Sequence, residues 1–311
     1  MASNEQDLAR PPLFINKTVD TVFSVIEFGQ YLINGISQGC LYCLLASGLT
    51  LMLGILGVPN FAHGNLYMLG AYIAFYVVAF FNMSYWLSIV IAAIILGVLG
   101  LIIYRLIFYP MRNGPHANLF VAAIALLMIL ESAALLWFGG ETKWLILPYS
   151  NDVIRFGGMS LGVQRLIIIL ATLMVMLGLE LFIKKTTVGA ALEATAQNRE
   201  GAMLCGIKVT QIAAMAFAIG TALAGVAGVL IAPAVMILPS MGLGPLLVAF
   251  SAVIVGGMGS IRGAVVGAFI LALVESLTSG YISATYSLVF VFAAMILMLL
   301  IRPSGLFGKE L

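Results

Sequence analysis

Charge is what this sequence has least of. Of its 311 residues only 8% are Asp, Glu, Lys or Arg, the formal net charge is +2, and there are just two His and three Cys. Soluble domains carry about 25% charged residues, so a soluble globular fold is excluded. A net charge this small gives no electrostatic footprint for nucleic acid. Cys40 and Cys43 form a C-x-x-C inside an apolar run with no His or carboxylate nearby, and Cys205 stands alone. Small packing residues explain them better than a metal site. A phosphate-binding loop is missing too, because the sole Gly-Lys pair, Gly308-Lys309, is followed by Glu310. The chain therefore has no means of its own to use ATP. With no H-E-x-x-H, no G-x-S-x-G and no cluster of His, Cys and acids, neither catalysis nor a metal is expected. The first residues, Met1 to Pro12, lack the basic start, apolar core and small-residue cleavage site of a secretory signal.

What is present is apolar surface. Hydrophobic residues make up 63% of the chain and the mean hydropathy is +1.16. No charged residue occurs from Phe28 to Tyr104, nor from Val209 to Ile261. One crossing of a bilayer takes about 20 residues, so each stretch crosses more than once. The runs are rich in Leu, Ile, Ala and Gly without polar alternation, which selects helices over barrel strands. The fold class is all-α membrane: a polytopic bundle of about eight or nine spans.

Spans are expected over Tyr31 to Leu53, Asn65 to Phe81, Trp86 to Phe108, Asn118 to Phe138, Gln164 to Ile183, Gln211 to Ile231, Leu246 to Val255, Gly263 to Ser279 and Tyr286 to Ile301. The seventh is too short to cross unless it extends into its flanks or re-enters. Residues 1–28 read as a tail and an interfacial helix, with Phe14, Val19, Val22, Phe23 and Ile26 on one side; residues 29–311 read as the membrane domain. Small residues recur every fourth position at Gly35 and Gly39, at Ala216, Gly220, Ala224 and Gly228, and at Ala264, Ala268 and Ala272. These are seams for close helix packing.

Orientation follows from the bias of Lys and Arg toward cytoplasmic connections. Arg105, Arg112, Lys184, Lys185, Arg199, Lys208, Arg262, Arg302 and Lys309 fall at one end; Arg10, Lys17, Lys143, Arg155 and Arg165 fall at the other. The first set belongs inside, in the inner (plasma) membrane of a bacterial cell.

Three segments stand out. The run Val58-Pro59-Asn60-Phe61-Ala62-His63-Gly64-Asn65 breaks a long apolar stretch with polar groups, and Gly256 to Gly263 interrupts the second half. Broken helices at matching places mark transport pathways, whereas a tight cytoplasmic turn is the plainer reading. Asn60, Phe61, His63 and Asn65 are thus pathway candidates. Thr186 to Ile207 is a polar stretch on the inner side, predicted as a short helix over about 187–206 with Thr186 or Thr187 as cap and Gly206 as stop; it docks on the chain's own spans or on a cytoplasmic partner. Glu131 and Glu275 are intramembrane acids at similar depth with no Lys or Arg to pair with, and Ser132 and Ser276 are adjacent. They are structural or line the path.

Gly35-Ile36-Ser37-Gln38-Gly39, Pro59-Asn60-Phe61-Ala62-His63-Gly64, Tyr109-Pro110-Met111-Arg112, Ala194 to Ile207, Val255-Gly256-Gly257-Met258-Gly259-Ser260, Glu275 and Pro303-Ser304-Gly305-Leu306-Phe307-Gly308 come in an order that resembles the permease subunits of branched-chain amino-acid ABC importers, of the LivH type. The resemblance implies a homologous second permease (LivM type), two cytoplasmic ATPases that hold the ATP and Mg, and an extracytoplasmic substrate-binding protein. It also implies that the 187–206 helix couples to an ATPase, with Glu193, Arg199, Glu200 and Met203 as contacts. Arg262 and Glu131 depart from the family pattern, where Pro and an amide are expected, and the N-terminal extension is long. The implied solute is a branched-chain or other hydrophobic amino acid; urea, short amides and aromatic carboxylates are carried by relatives. The rival reading is a secondary carrier relaying protons through Glu131 and Glu275.

The charge bias places Cys205 on the cytoplasmic side. A membrane-impermeant maleimide should label it in inside-out vesicles and leave it unlabelled in intact cells; the reverse pattern would overturn the orientation.

Overall fold

In hydrocarbon only a helix closes its own backbone hydrogen bonds within one segment, and each apolar run folds accordingly. The computed structural model of the chain describes the backbone of residues 13–150 and 152–308, with side chains from Val25 onward. Met1 to Pro12, where no secretory signal was expected, lies outside the described residues, as does Lys309.

The first helix, α1 (Leu13–Leu56), is followed by α2 (His63–Phe75), which ends in a π turn over Tyr76–Phe80. Next, α3 (Tyr85–Ile103) passes through a second π turn, Tyr104–Phe108, into the short α4 (Tyr109–Met111). Then come α5 (His116–Phe138), strands β1 (Val153–Phe156) and β2 (Met159–Gly162), α6 (Val163–Lys185), α7 (Thr187–Gln197) and α8 (Arg199–Leu204). The chain continues with α9 (Val209–Ile231), α10 (Leu243–Gly256), α11 (Ile261–Tyr281), a 3₁₀ turn at Ala284–Tyr286, and α12 (Ser287–Ile301). Among the described residues eight helices are long and apolar enough to cross a bilayer, and α10 is the shorter ninth.

Two expectations differ in detail. The stretch over 13–28 is continuous with the first span as one helix of 44 residues, since no Pro interrupts it. The loop before α6 holds an antiparallel hairpin pairing Val153 with Gly162 and Phe156 with Met159. Its turn residues Gly157 and Gly158 both have positive φ, 55° and 83°, the conformation that a two-residue hairpin needs.

Helix ends sort to two faces of the bundle. At one, Gln30 bonds Ser160, Tyr31 packs on Tyr281, and Lys143 exchanges backbone hydrogen bonds of 3.0 Å with Ile237. At the other, Gly54 meets Ala196 and Gly259, Arg262 approaches Glu180 at 3.8 Å, and Leu306 and Phe307 donate to the carbonyls of Val255 and Gly256 at 2.9 Å. The last pair gives the Pro303–Gly308 motif a physical purpose, closing carbonyls that the end of α10 leaves open. Arg105, Arg112, Lys184, Lys185, Arg199, Arg262 and Arg302 lie at this second face, which is therefore the inner one.

The centre is built on α1 and α9. Of their most apolar windows 94% and 72% are buried, against 11% for α12 and 22% for α5 and α6, which leaves the latter three facing outward. The small-residue seams are what bring the central backbones together within the chain. A Cβ at Gly220 would stand 2.7 Å from the Gly48 carbonyl, and one at Gly228 would collide with the Tyr67 carbonyl. Gly35 and Gly39 admit Leu273 and Phe269 of α11, and Gly267 admits the Ala252 carbonyl of α10.

Helix α2 does not begin at the inner face. His63 contacts the carbonyl of Leu45, and Asn65 that of Leu127; at about 1.5 Å per residue both lie about 16 Å from the inner ends of α1 and α5. Val58 to Ala62 climbs that distance as irregular backbone. From the opposite side, residues 232–242 lead to the start of α10, whose 14 residues reach only about 21 Å. The starts of α2 and α10 meet there. A Cβ on Gly64 or on Gly242 would collide with the other's carbonyl.

This contact generates a paired test. Gly242→Ala should destabilise the protein by about 1–3 kcal/mol through overpacking. Gly244→Ala, where an added Cβ meets nothing within 4 Å, should be neutral or slightly stabilising. Melting temperatures of the two variants in detergent check this; equal values would show that the α2–α10 contact does not matter for packing.

Candidate functional site

The break between α1 and α2 carries three polar residues, all buried: Asn60 is 1% exposed, His63 0% and Asn65 4%. Each is engaged inside the chain. The Asn60 side-chain oxygen Oδ1 accepts from the Ala62 N–H at 3.2 Å, which fixes the approach to α2. His63 places Nε2 3.1 Å from the Leu45 carbonyl, so Nε2 carries the hydrogen, and Nδ1 is left without a partner. The Asn65 amide donates to the Leu127 carbonyl at 2.5 Å. Together they tie α2 to α1 and α5 at mid-depth. Phe61 alone among the four expected pathway residues reaches a partly open face, where its ring lies 5.2 Å from Phe120 and 5.8 Å from Phe250.

The matching break in the second half is not where the glycines are densest. Gly256 to Gly263 forms a tight inner turn: Gly257 and Gly259 have φ of 102° and 85°, and Ser260 caps α11 by accepting from the Gly263 N–H at 3.1 Å. The irregular backbone that enters the membrane is instead 232–242, with Pro233 and Pro239. Those two prolines were the signal, since neither can sit inside a span without freeing backbone groups.

The two acids sit in different surroundings. Glu131 is half-buried on α5, and α5 packs on α2. Glu275 lies on α11 against α1, with the Tyr42 hydroxyl within reach of its carboxyl and Oε2 without a partner. The hydroxyl of Ser276 is not its partner, for it donates to the Tyr31 carbonyl at 2.7 Å. The structure does not join the two acids in one chain of contacts.

At the inner face the polar stretch after α6 folds as an elbow of two helices rather than one. Thr186 caps α7, accepting from the Gly189 N–H at 3.0 Å, and Asn198 breaks the run to cap α8, accepting from the Gly201 N–H at 2.9 Å. Gly206 ends it with φ 81°, the left-handed stop expected from sequence. Leu192, Thr195 and Ala202 are buried and hold the elbow on the bundle. Glu193, Arg199, Glu200 and Met203 are all exposed. The residue that sequence reasoning missed is Leu204, which is 90% exposed beside Met203 at 51%. Arg262, the departure from the expected Pro, lies next to this region and approaches Glu180, the partner of Lys184.

The family model described as branched-chain amino acid transport system / permease component matches residues 31–299. The chain is 34% identical over 302 residues to the high-affinity branched-chain amino acid transport system permease protein LivH of Salmonella typhimurium, covering 91% of this chain and 96% of that one. Similarity of the same degree, 34% over 92% and 97%, is found with the permease protein BraD of Pseudomonas aeruginosa. The probable branched-chain amino acid transport permease protein LivH of Methanocaldococcus jannaschii is 33% identical over 87% and 89%. A multi-pass helical bundle matched along nearly its full length by one family leaves a single assignment: the chain belongs to the branched-chain amino acid transport permease family.

Proposed function

We propose that this chain is one permease subunit of an ATP-binding-cassette importer, and that with a homologous second permease it forms the path by which branched-chain or other hydrophobic amino acids enter the cell. Two cytoplasmic ATPases supply the energy, and an extracytoplasmic binding protein delivers the solute. The relatives are named for branched-chain amino acid transport, and this sequence contains no phosphate-binding loop.

The observation that carries the reading is the elbow. Met203 and Leu204 offer apolar surface to water at the inner face, framed by Glu193, Arg199 and Glu200. An exposed leucine gains roughly 1.5–3 kcal/mol when a partner covers it. Leucine and methionine thus form an anchor, and the surrounding charges fix its register on an ATPase. ATP-driven closure of the ATPases presses on α7 and α8, and the permeases rock between outward- and inward-open forms. Phe61 and Glu275 are assigned to the path; Asn60, His63 and Asn65 hold the broken helix that borders it. The proton-relay alternative loses ground because Glu131 and Glu275 sit on helices with different neighbours.

The test is reconstitution in liposomes. The chain with its second permease, ATPases and binding protein should take up leucine only with ATP; uptake by the chain alone on a pH gradient would overturn the reading. Leu204→Asp should cut ATP-dependent uptake by about tenfold or more and Arg199→Ala with Glu200→Ala should loosen hydrolysis from uptake, with normal amounts of chain in the membrane. Unchanged uptake in both would remove the elbow from the coupling surface.

A further inference from the structure

One face of α1 is polar where the rest of the helix is not. Gln30, Asn34, Gln38 and Tyr42 recur every fourth residue and so follow one side of the helix, from the outer hairpin down about 18 Å into the bundle. They are joined to one another and to two other helices. Gln30 donates to Asn34 at 3.2 Å and is anchored at the top by Ser160, whose N–H donates back at 2.8 Å. Arg165, on the first turn of α6, donates from Nη1 to the same Asn34 oxygen. Lower down Gln38 donates to the Tyr42 hydroxyl at 2.9 Å, and Tyr42 lies beside Glu275 of α11.

Two features of this stripe have no structural explanation. Arg165 and Glu275 are opposite charges on one polar face, yet they are not paired. Among the described residues the ion pairs are Lys184–Glu180 and Arg262–Glu180, both at the inner face. Asn34 and Tyr42, their respective neighbours on α1, are about 12 Å apart along the helix, too far for Arg165 and Glu275 to neutralise each other. Apart from Tyr42, the members of the stripe are only half-buried, and Glu275 Oε2, itself buried, has no hydrogen-bond partner. Groups of this kind face the bundle interior or a watery cavity, because lipid contact is costly, and they mark substrate pathways.

We propose that this stripe is the extracytoplasmic half of the solute path, and that it handles an amino-acid zwitterion by its two charges in turn. Arg165, at the mouth, takes the α-carboxylate with a charge-assisted hydrogen bond. Glu275, deeper, takes the α-ammonium on its free oxygen while the Tyr42 hydroxyl holds the other side of the carboxyl. Gln38 fixes the Tyr42 oxygen and bridges the two stations. The proposal rests on the permease reading and adds to it the binding residues and the feature they recognise: both charges of the backbone of an amino acid, irrespective of its apolar side chain.

Two measurements decide it. In intact cells the thiol introduced by Gln38→Cys should react with a membrane-impermeant methanethiosulfonate from outside, with the unsubstituted chain as control, and leucine supplied with the binding protein should slow the reaction. In liposomes holding the full transporter, Arg165→Gln and Glu275→Gln should each lower ATP-dependent leucine uptake about tenfold or more, with partial recovery in Arg165→Lys and Glu275→Asp at equal amounts of chain in the membrane. An unreactive thiol at position 38, or wild-type uptake by either neutral variant, overturns the proposal. If a neutral variant fails to reach the membrane, thiol reactivity alone decides. Absence of ATP-dependent uptake by the unsubstituted complex would instead sink the permease reading, and the thiol would still report whether the face is open to the outside.

Discussion

No water reaches a peptide group in the middle of a bilayer, so irregular backbone survives there only if the protein satisfies it. This chain contains two such segments, 58–62 and 232–242, and its central architecture answers their demands. Asn60 and His63 supply hydrogen bonds at the first, and Asn65 secures α2 to the Leu127 carbonyl. At the second, Ile237 pairs with Lys143, and Lys143 in turn sits over the rings of Phe75 and Tyr76 at 5.4 and 5.8 Å. Without side chains to separate them, Gly64 and Gly242 let the two helix starts approach until backbone touches backbone. The seam on α9 serves the same end, for close contact is what replaces the hydrophobic drive that lipid cannot supply.

Because length and hydropathy act through this same constraint, most of the fold was legible in the sequence. Apart from the start of α1, the nine apolar runs match the membrane helices to within a few residues at their ends, and the small-residue repeats mark the contacts of α1, α9 and α11. Depth was not legible. Nothing in the composition of Asn60 to Asn65 says that α2 starts about 16 Å from the inner face, which requires knowing that its bonds go to Leu45 and Leu127. For the same reason the glycine-rich 256–263 segment looked like the second break, whereas positive φ at Gly257 and Gly259 serves an ordinary turn. Pairing across long sequence distance hid the tie between Gln30 and Ser160 in the same way.

The candidate site was read less completely than the fold. Sequence identified Glu275 as an acid without a partner, but not that its neighbour is Tyr42 rather than Ser276. It found the elbow and its charged residues, but a single helix was expected where Asn198 makes two. That division matters, since a side chain's direction on a six-residue helix follows the new axis, and Leu204 consequently points to water. Arg165 was read only for orientation, because a lone arginine at the end of a span is an orientation signal first.

The elbow and the polar stripe lie at opposite ends of the bundle, and α1 touches both. Near its outer end it carries Asn34 to Tyr42; near its inner end Gly54 packs against Ala196 of α7. A continuous helix is stiff along its axis, so displacement of the elbow must either move α1 or slide past it. Sliding is easy only where the contact is smooth: the α1–α11 contact is keyed by Leu273 and Phe269 at Gly35 and Gly39, whereas the α1–α9 contact brings Gly48 and Gly220 together with no side chain between them. Tyr42 and Glu275 face each other across the first of these contacts. A shift of α1 along α11 by even a fraction of a helical turn, about 5.4 Å in full, moves the hydroxyl away from the carboxyl beside it. Coupling between the ends thus requires no wire of specific side chains, only one stiff helix whose two contacts favour different positions.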